Sequence, residues 1–270
     1  MPAVAEVERS PEGAAGEDGQ RSQAGRDGVR AQAGEQGAHV SPDIFGTIFQ
    51  HSMNKDERHA YGAHYTAPAD IMKIVGPTIV QPWRHAIQSA DSTDQLRKLQ
   101  ARLGTFKVLD PACGSGNFLY IAYRELKRIE VELHDRLQEL RSRKEKGQQE
   151  FGVVTSKQFF GMDILPFAVE LAKVTMSLAH KLAIDELHIE EKALPLDNLD
   201  GNILLRDALI TTPDEPGGPA TSRPPQRTSW PAADAIIGNP PFLGPKDVKP
   251  ERGMPYVRAL RALYPEVPGM

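Results

Sequence analysis

Val108-Leu-Asp110-Pro-Ala-Cys-Gly114-Ser-Gly116-Asn-Phe118 is an apolar run that ends on a carboxylate, crosses a glycine-rich loop and opens a helical pattern. The apolar stretch Phe106–Asp110 reads as a strand. From Phe118, the residues Leu119, Ala122, Leu126, Ile129, Leu133, Leu137 and Leu140 step by three or four, the spacing of one helix face. Lys157–Asp163 reads as a second strand, and Pro166 suits the first turn of a helix that would bury Phe167, Leu171, Val174, Leu178 and Leu182. A short strand within 202–209 and another over Asp234–Gly238 complete the alternation. Strands alternating with helices predict a parallel α/β sheet covered on both faces, with any ligand beyond the carboxyl ends of the strands.

Upstream, Ile44, Phe45, Ile48, Phe49 and Met53 mark one face of a helix from Pro42. Thr66 is placed to cap a helix starting near Pro68 that turns Ile71, Ile74 and Val75 inward, with Pro77 bending or ending it. Residues 93–103 read as a short polar helix, Arg141–Glu150 as a solvated helix end, and 211–232 as a Pro/Gly/Ser/Thr loop. After Pro241 the chain reads as loop, with a short helical stretch near 255–263. Residues 1–40 hold almost no large apolar side chains and are expected to be a disordered tail. The division is therefore a tail over 1–40, a helical segment over 41–103, a cofactor-binding core over 104–250 and a continuation over 251–270.

Bulk composition sets limits. Hydrophobic content of 40% with 25% charged residues is that of a globular chain able to bury a core. A net charge of −4 is the wrong sign for a domain that grips nucleic acid unaided. The single cysteine, Cys113, excludes an internal disulfide and a cysteine-rich metal site, and fits a reducing cytoplasm. No apolar run is long enough to span a bilayer, so no membrane partner is expected. Cys113 itself reads as a small buried hydrophobe, because no His or Lys nearby in sequence would activate it.

The glycine loop lacks the G-x-G-x-x-G spacing of dinucleotide sites, since residue 119 is Leu. An acidic residue precedes it, so an amino-acid-like ligand with an ammonium group suits it better than a pyrophosphate. Asp163, at the end of the second strand, is placed to accept two ribose hydroxyls. The second informative stretch is Asp234-Ala-Ile-Ile-Gly-Asn239-Pro240-Pro241-Phe242. The Asn239 side-chain oxygen and the Pro240 carbonyl are two acceptors for one –NH₂ group. The prolines stiffen the turn, and Phe242 offers a ring on which a planar base can stack. Two such acceptors raise electron density on the amino nitrogen, which then attacks a sulfonium methyl in line. A base in duplex DNA must first be flipped out.

With these residues in view, the chain resembles an amino-group DNA methyltransferase of the N6-adenine kind, with the cofactor motifs first. It is most similar to the large bacterial restriction–modification and phage-defence enzymes. The resemblance runs from about residue 42 to 250 and rests on four blocks: Gly62-Ala-His-Tyr65-Thr66, Asp110 through Phe118, Phe160-Gly-Met-Asp163, and Asn239 through Phe242. It implies a Rossmann-like fold that uses S-adenosylmethionine. Tyr65, Thr66, Asp110, Ala112, Gly114 and Gly116 would line the methionine end, Asp163 would take the ribose, and Asp207 would face the cofactor adenine. Asn239, Pro240, Pro241 and Phe242 would hold the target adenine. The resemblance implies no metal.

It also implies further strands and a target-recognition domain beyond the Asn-Pro-Pro-Phe turn. With Met270 so close to that turn, the reading predicts an N-terminal piece of a longer enzyme, or a split or decayed gene product. Double-stranded DNA would be reached through the missing part, and a second methyltransferase half or recognition subunit is a candidate partner. Release-factor glutamine and rRNA guanine methyltransferases share the Asn-Pro-Pro-aromatic turn and stand as alternatives, as does a non-catalytic cofactor-binding or docking half. Cytosine-N4 enzymes more often carry Ser before the prolines, and cytosine-C5 chemistry needs a Pro-Cys nucleophile that this turn lacks. Glu190-Glu-Lys192 matches a nuclease E-x-K pair only superficially, without strand context.

Overall fold

Four parallel strands run in the order β3-β2-β1-β6 in the computed structural model, which describes residues 66–140, 152–187, 197–211, 224–242 and 245–267. β1 is Val108–Asp110, β2 Phe159–Asp163 and β3 Ile203–Leu205. β4 (Ile210–Thr211) and β5 (Gln226–Arg227) form a separate antiparallel pair, and β6 is Ala235–Ile236. The chain steps outward from β1 to β3, then returns to the far side of β1 as β6. The strand order therefore reverses at β1, where sheets of this class open a crevice for ligands. All the described residues belong to one compact unit, Val40–Met270.

The helices follow the sequence pattern closely in one case and less so in others. α1 is Pro68–Val75, α2 Gln81–Gln88, α3 Thr93–Leu103, α4 Asn117–Leu140, α5 Pro166–Leu187 and α6 Pro245–Leu263. In α4 the stepped residues Leu119 through Leu137 are buried, and Leu140 packs partly against the same core. Each such leucine contributes on the order of 1.5–3 kcal/mol through burial. Thr66 does not cap α1: the N-cap is Ala67, and Pro68 supplies the preset φ of the first turn instead. Pro77 does not end the helix either. The chain passes through a π-helical turn, Gly76–Val80, straight into α2, because Ile79, Val80, Trp83 and Ile87 continue the buried stripe. Ile74 is turned out rather than in, at 38% exposure.

α5 departs most from expectation. Phe167 and Val174 are 49% and 46% exposed, and the buried face is built from Ala168, Val169, Leu171, Ala172, Thr175, Met176, Ala179 and Ala183. Small side chains let the helix lie close to the glycine loop, and a Cβ on Gly116 would stand 3.2 Å from Ala172 Cα. Leu171 is buried as expected and Leu182 packs partly against the core, so the expected stripe fails at Phe167 and Val174, where the close approach of Ala172 to the loop turns the helix. α4 and α5 pack on each other as well as on the strands, so these two crossover helices share a layer. Among the described residues the expected cover on both faces is not found at β6, where Ala235 and Ile237 are buried while Ile236 is 55% exposed. The predicted 211–232 loop contains β5, and the short helical stretch near 255–263 extends back to Pro245, broken by Gly253 (φ 80°, ψ 164°).

Side-chain bonds to the backbone fix the strand ends. Lys157 lies in a 3₁₀ turn, Ser156–Gln158, rather than in β2. The Gln158 side chain accepts from Thr155 N at 2.7 Å and donates to Leu103 O and Phe106 O at 2.7 and 3.0 Å. This buried amide ties the end of α3 and the approach to β1 to the start of β2. Asn202 Nδ2 bridges the Lys157 and Phe159 carbonyls, and Asp234 Oδ2 accepts from Lys107 N at 2.8 Å, aligning β6 with β1. Glu130, buried in α4, accepts from Gly152 N and Val153 N and pairs with Lys127 at 3.1 Å. The stretch 42–53, the block Gly62–Tyr65, residues 141–150 and the Glu190–Lys192 pair lie outside the described residues. Among the described residues no helix is long and apolar enough to cross a membrane, and no His/Cys/Asp/Glu cluster is arranged to hold a metal.

Gly161 in β2 faces Cys113: a Cβ there would lie 2.9 Å from the sulfur and 3.1 Å from Ile203 Cδ1. Gly161→Ala is expected to destabilise the fold by about 1–3 kcal/mol in urea unfolding, as overpacking does. Adding Cys113→Ala should recover part of that loss, and a double variant no better than the single one would refute this packing account.

Candidate active site

The carboxyl ends of β1, β2 and β6 bring the two sequence motifs together. Asp110 pairs in register with Gly161, two residues before Asp163, and Leu109 pairs with Ile236, two before Gly238. Gly238 then touches Asp110. A Cβ at Gly238, where φ is 153°, would sit 2.5 Å from Asp110 Oδ1, so only glycine lets the strand end close over the carboxylate. The Asn-Pro-Pro-Phe turn begins at the next residue.

Asp110 is almost wholly buried, at 1% exposure. Its Oδ1 accepts from Ala112 N at 3.0 Å, while Oδ2 has no hydrogen-bond partner among the described residues. Burial pushes the carboxyl up to about 7; the Ala112 N–H opposes this and the nearby Asp163 charge adds to it. Asp163 accepts from Leu165 N through Oδ1 and from Gly114 N through Oδ2, both at 2.9 Å. Its carboxyl is raised by burial against the pull of those backbone donors, the Ile164 N–H and the Arg252 charge.

The glycine loop is internally tied. Cys113 N donates to Met162 O at 3.0 Å and Gly116 N to Cys113 O at 2.8 Å. With the Ala112 and Gly114 amides also engaged, these four N–H groups are not aimed at an anion. That agrees with a ligand presenting an ammonium group near Asp110 rather than a phosphate. Gly116, at φ 84°, serves the turn and the close approach of α5. The Cys113 thiol is buried against Gly161, and desolvation raises it well above its ordinary value, which leaves it a packed, protonated side chain.

Asn239, Pro240, Pro241 and Phe242 are all exposed, Phe242 at 90%. Asn239 Nδ2 donates to Thr66 Oγ1 at 3.4 Å, across 173 residues of chain. The contact engages the amide nitrogen and leaves the side-chain oxygen without a partner among the described residues. Thr66 therefore meets the Asn-Pro-Pro-Phe turn rather than capping α1. Tyr65 lies outside the described residues. Asp207 sits apart, in the turn between β3 and β4. Its Oδ1 accepts from Leu209 N and Ile210 N at 2.7 and 3.1 Å, and its Oδ2 from the Tyr256 hydroxyl of α6 at 2.9 Å. Burial, with the Asp207 charge, raises the Tyr256 phenol above its ordinary range, so it acts as a donor. Sequence reasoning missed Tyr256, because nothing in the spacing of α6 marks it; only the folded chain brings it to Asp207.

Comparison with known proteins identifies the family. The chain is 34% identical over 224 residues to DNA methyltransferase A of Bacillus subtilis, covering 77% of this chain and 23% of that protein. It is 27% identical over 208 residues to a putative type II restriction enzyme and methyltransferase of Methanocaldococcus jannaschii, covering 65% of this chain and 17% of that one. Among solved structures it resembles the Type IIL restriction-modification enzyme MmeI in complex with DNA. The TM-score is 0.50 at 31% identity, over 58% of this chain and 22% of that chain. The chain thus spans about a quarter or less of the length of each of these relatives. The fold is that of the Rossmann-like S-adenosylmethionine-dependent methyltransferases. The family model described as the MmeI DNA-methyltransferase domain matches residues 86–259, from within α2 to within α6. With well over half of the 270 residues inside that match, the chain belongs to the MmeI family of DNA-methyltransferase domains.

Proposed function

We propose that this chain provides the methyl-transfer site of a restriction–modification DNA methyltransferase that uses S-adenosylmethionine and methylates adenine at N6. The observation that supports this reading is the Gly238–Asp110 contact: the residue just before Asn239 lies so near the carboxylate ending β1 that a Cβ there would stand 2.5 Å from Asp110 Oδ1.

The residues present fit S-adenosylmethionine. Asp110 Oδ2 is a buried acceptor without a partner among the described residues, beside a loop that only glycine can close. It would hold the ammonium group, lined by Thr66, Ala112, Gly114 and Gly116, with Tyr65 assigned there by motif. Asp163 would accept the ribose hydroxyls, and Asp207 would face the adenine of the cofactor. When bound, the cofactor supplies an electrophilic methyl group on sulfur.

The chain's own part is to hold and sharpen the nucleophile. The Asn239 side-chain oxygen and the Pro240 carbonyl would accept both protons of a flipped adenine's amino group, drawing its nitrogen into line. Acceptors fixed before the reaction need no reorganisation, and removing one such group typically costs about 10²–10³-fold in rate. The ring of Phe242, exposed for the purpose, would stack on the purine. Pro240 and Pro241 keep the turn stiff. The mild negative charge of the chain suits a part that performs transfer while DNA is gripped elsewhere.

Two outcomes check this reading. Tritiated methyl transfer to duplex DNA, assayed for the chain alone and with a DNA-recognition partner, should yield N6-methyladenine on nucleoside analysis. Asn239→Ala should lower the rate by about 10²-fold or more while cofactor affinity stays within about threefold. Label appearing in N4-methylcytosine or in protein would contradict the adenine assignment. The second outcome concerns pH. The Asp110 carboxyl is raised from 3.8 to about 7 on folding. The native chain therefore holds a proton that the unfolded chain releases near 4. The associated stability is complete below about 4 and is lost as pH rises through about 7. Relative to Asp110→Asn, which has no such titration, the unfolding free energy of the protein should fall across that window and level off above it. A difference that stays flat from pH 4 to 8 would remove the buried-acid account.

A further inference from the structure

An aspartate that only caps a turn needs one oxygen. Asp207 Oδ1 does that work, accepting from Leu209 N and Ile210 N. The second oxygen is fixed from 49 residues away by the Tyr256 hydroxyl at 2.9 Å. Several contacts hold α6 in place for this bond. The Tyr264 hydroxyl donates to Leu209 O at 2.8 Å, and Arg227 donates through Nε to Leu263 O and through Nη2 to Glu266, both at 2.6 Å. The Arg227 guanidinium also lies 4.4 Å from the centre of the Tyr264 ring. From the other side, Thr228 Oγ1 donates to Asp207 O and Trp230 Nε1 to Ala208 O. Gly253, at φ 80° and ψ 164°, breaks α6 into two helical parts just before Pro255 and Tyr256.

We infer that Tyr256 is a positioning residue for the cofactor: its hydroxyl fixes the orientation of the Asp207 carboxylate so that the remaining acceptor position on Oδ2 reads the exocyclic amino group of the cofactor's adenine. A carboxylate oxygen accepts two hydrogen bonds, so one donor leaves room for a second and dictates where it must come from. Fixing a charged acceptor in this way pre-organises it, and such bonds discriminate strongly against a ligand that lacks the matching donor. The inference rests on the reading that Asp207 faces the cofactor adenine.

The test uses calorimetric binding of two probes to the full chain: S-adenosylhomocysteine, and S-inosylhomocysteine, which carries oxygen in place of the amino group. The unmodified chain should prefer the adenosyl probe by about tenfold or more, the size expected for one hydrogen bond to a charged group. Tyr256→Phe should cut that preference by about threefold or more while affinity for the inosyl probe stays within about twofold. Asp207→Asn should abolish the preference, and adding Tyr256→Phe to it should change nothing further. A purely structural tyrosine would lower the melting temperature and leave the ratio intact; an unchanged ratio in Tyr256→Phe, with a reduced one in Asp207→Asn, overturns the inference. If Asp207→Asn also leaves the ratio unchanged, the Asp207 assignment falls and this inference with it, while the Asn239 site stands. Failure of the unmodified chain to bind either probe overturns both readings.

Discussion

One close contact governs the site: the end of β6 lies against the buried carboxylate at the end of β1, with Gly238 in van der Waals range of Asp110. It exists because β1 pairs in parallel with β2 on one side and β6 on the other, so two distant segments finish at the same level. Any side chain at Gly238 would hold the strands apart and carry Asn239 away from Asp110. The Asp234 carboxylate sets the alignment at the opposite end of the same strand pair, through the Lys107 amide. Geometry at the reacting end thus depends on a hydrogen bond at the other end of two short strands.

The buried polar groups divide into those that build the frame and those left for a ligand. Gln158, Asn202 and Glu130 spend their capacity on backbone amides and carbonyls, joining strand starts and loop returns. Asp163 takes backbone donors on both oxygens, and Asp110 takes one in all. An acid held uncharged until about pH 7, with one oxygen unsatisfied, costs the ligand-free fold free energy. On the proposed reading, a cationic group delivered by the cofactor would offset that cost.

Much of this was legible in the sequence. The strand–loop–helix unit from Val108 to Phe118, the long leucine face of α4 and the parallel alternation follow from periodicity and glycine placement. What could not be read was set by contacts between remote parts. Thr66 looks like a helix cap in one dimension and meets Asn239 in three. Phe167 and Val174 look like core because they are large, yet α5 buries its alanines, since Gly116 and Ala172 must nearly touch. Pro77 looks like a terminator, but buried side chains on both sides carry the helix through it. Tyr256 carries no local signal at all. The motif residues stand out in the sequence because the chemistry proposed for them is local: acceptors on a stiff turn, and a carboxylate at a strand end.

The most direct measurement is a crystal structure of the chain with S-adenosylhomocysteine bound. The account predicts the amino group on the Asp110 side of the glycine loop, the ribose hydroxyls on Asp163, and the sulfur turned toward the Asn239 side-chain oxygen. A ligand seated away from Asp163, or a sulfur on the side of the loop opposite Asn239, would contradict it.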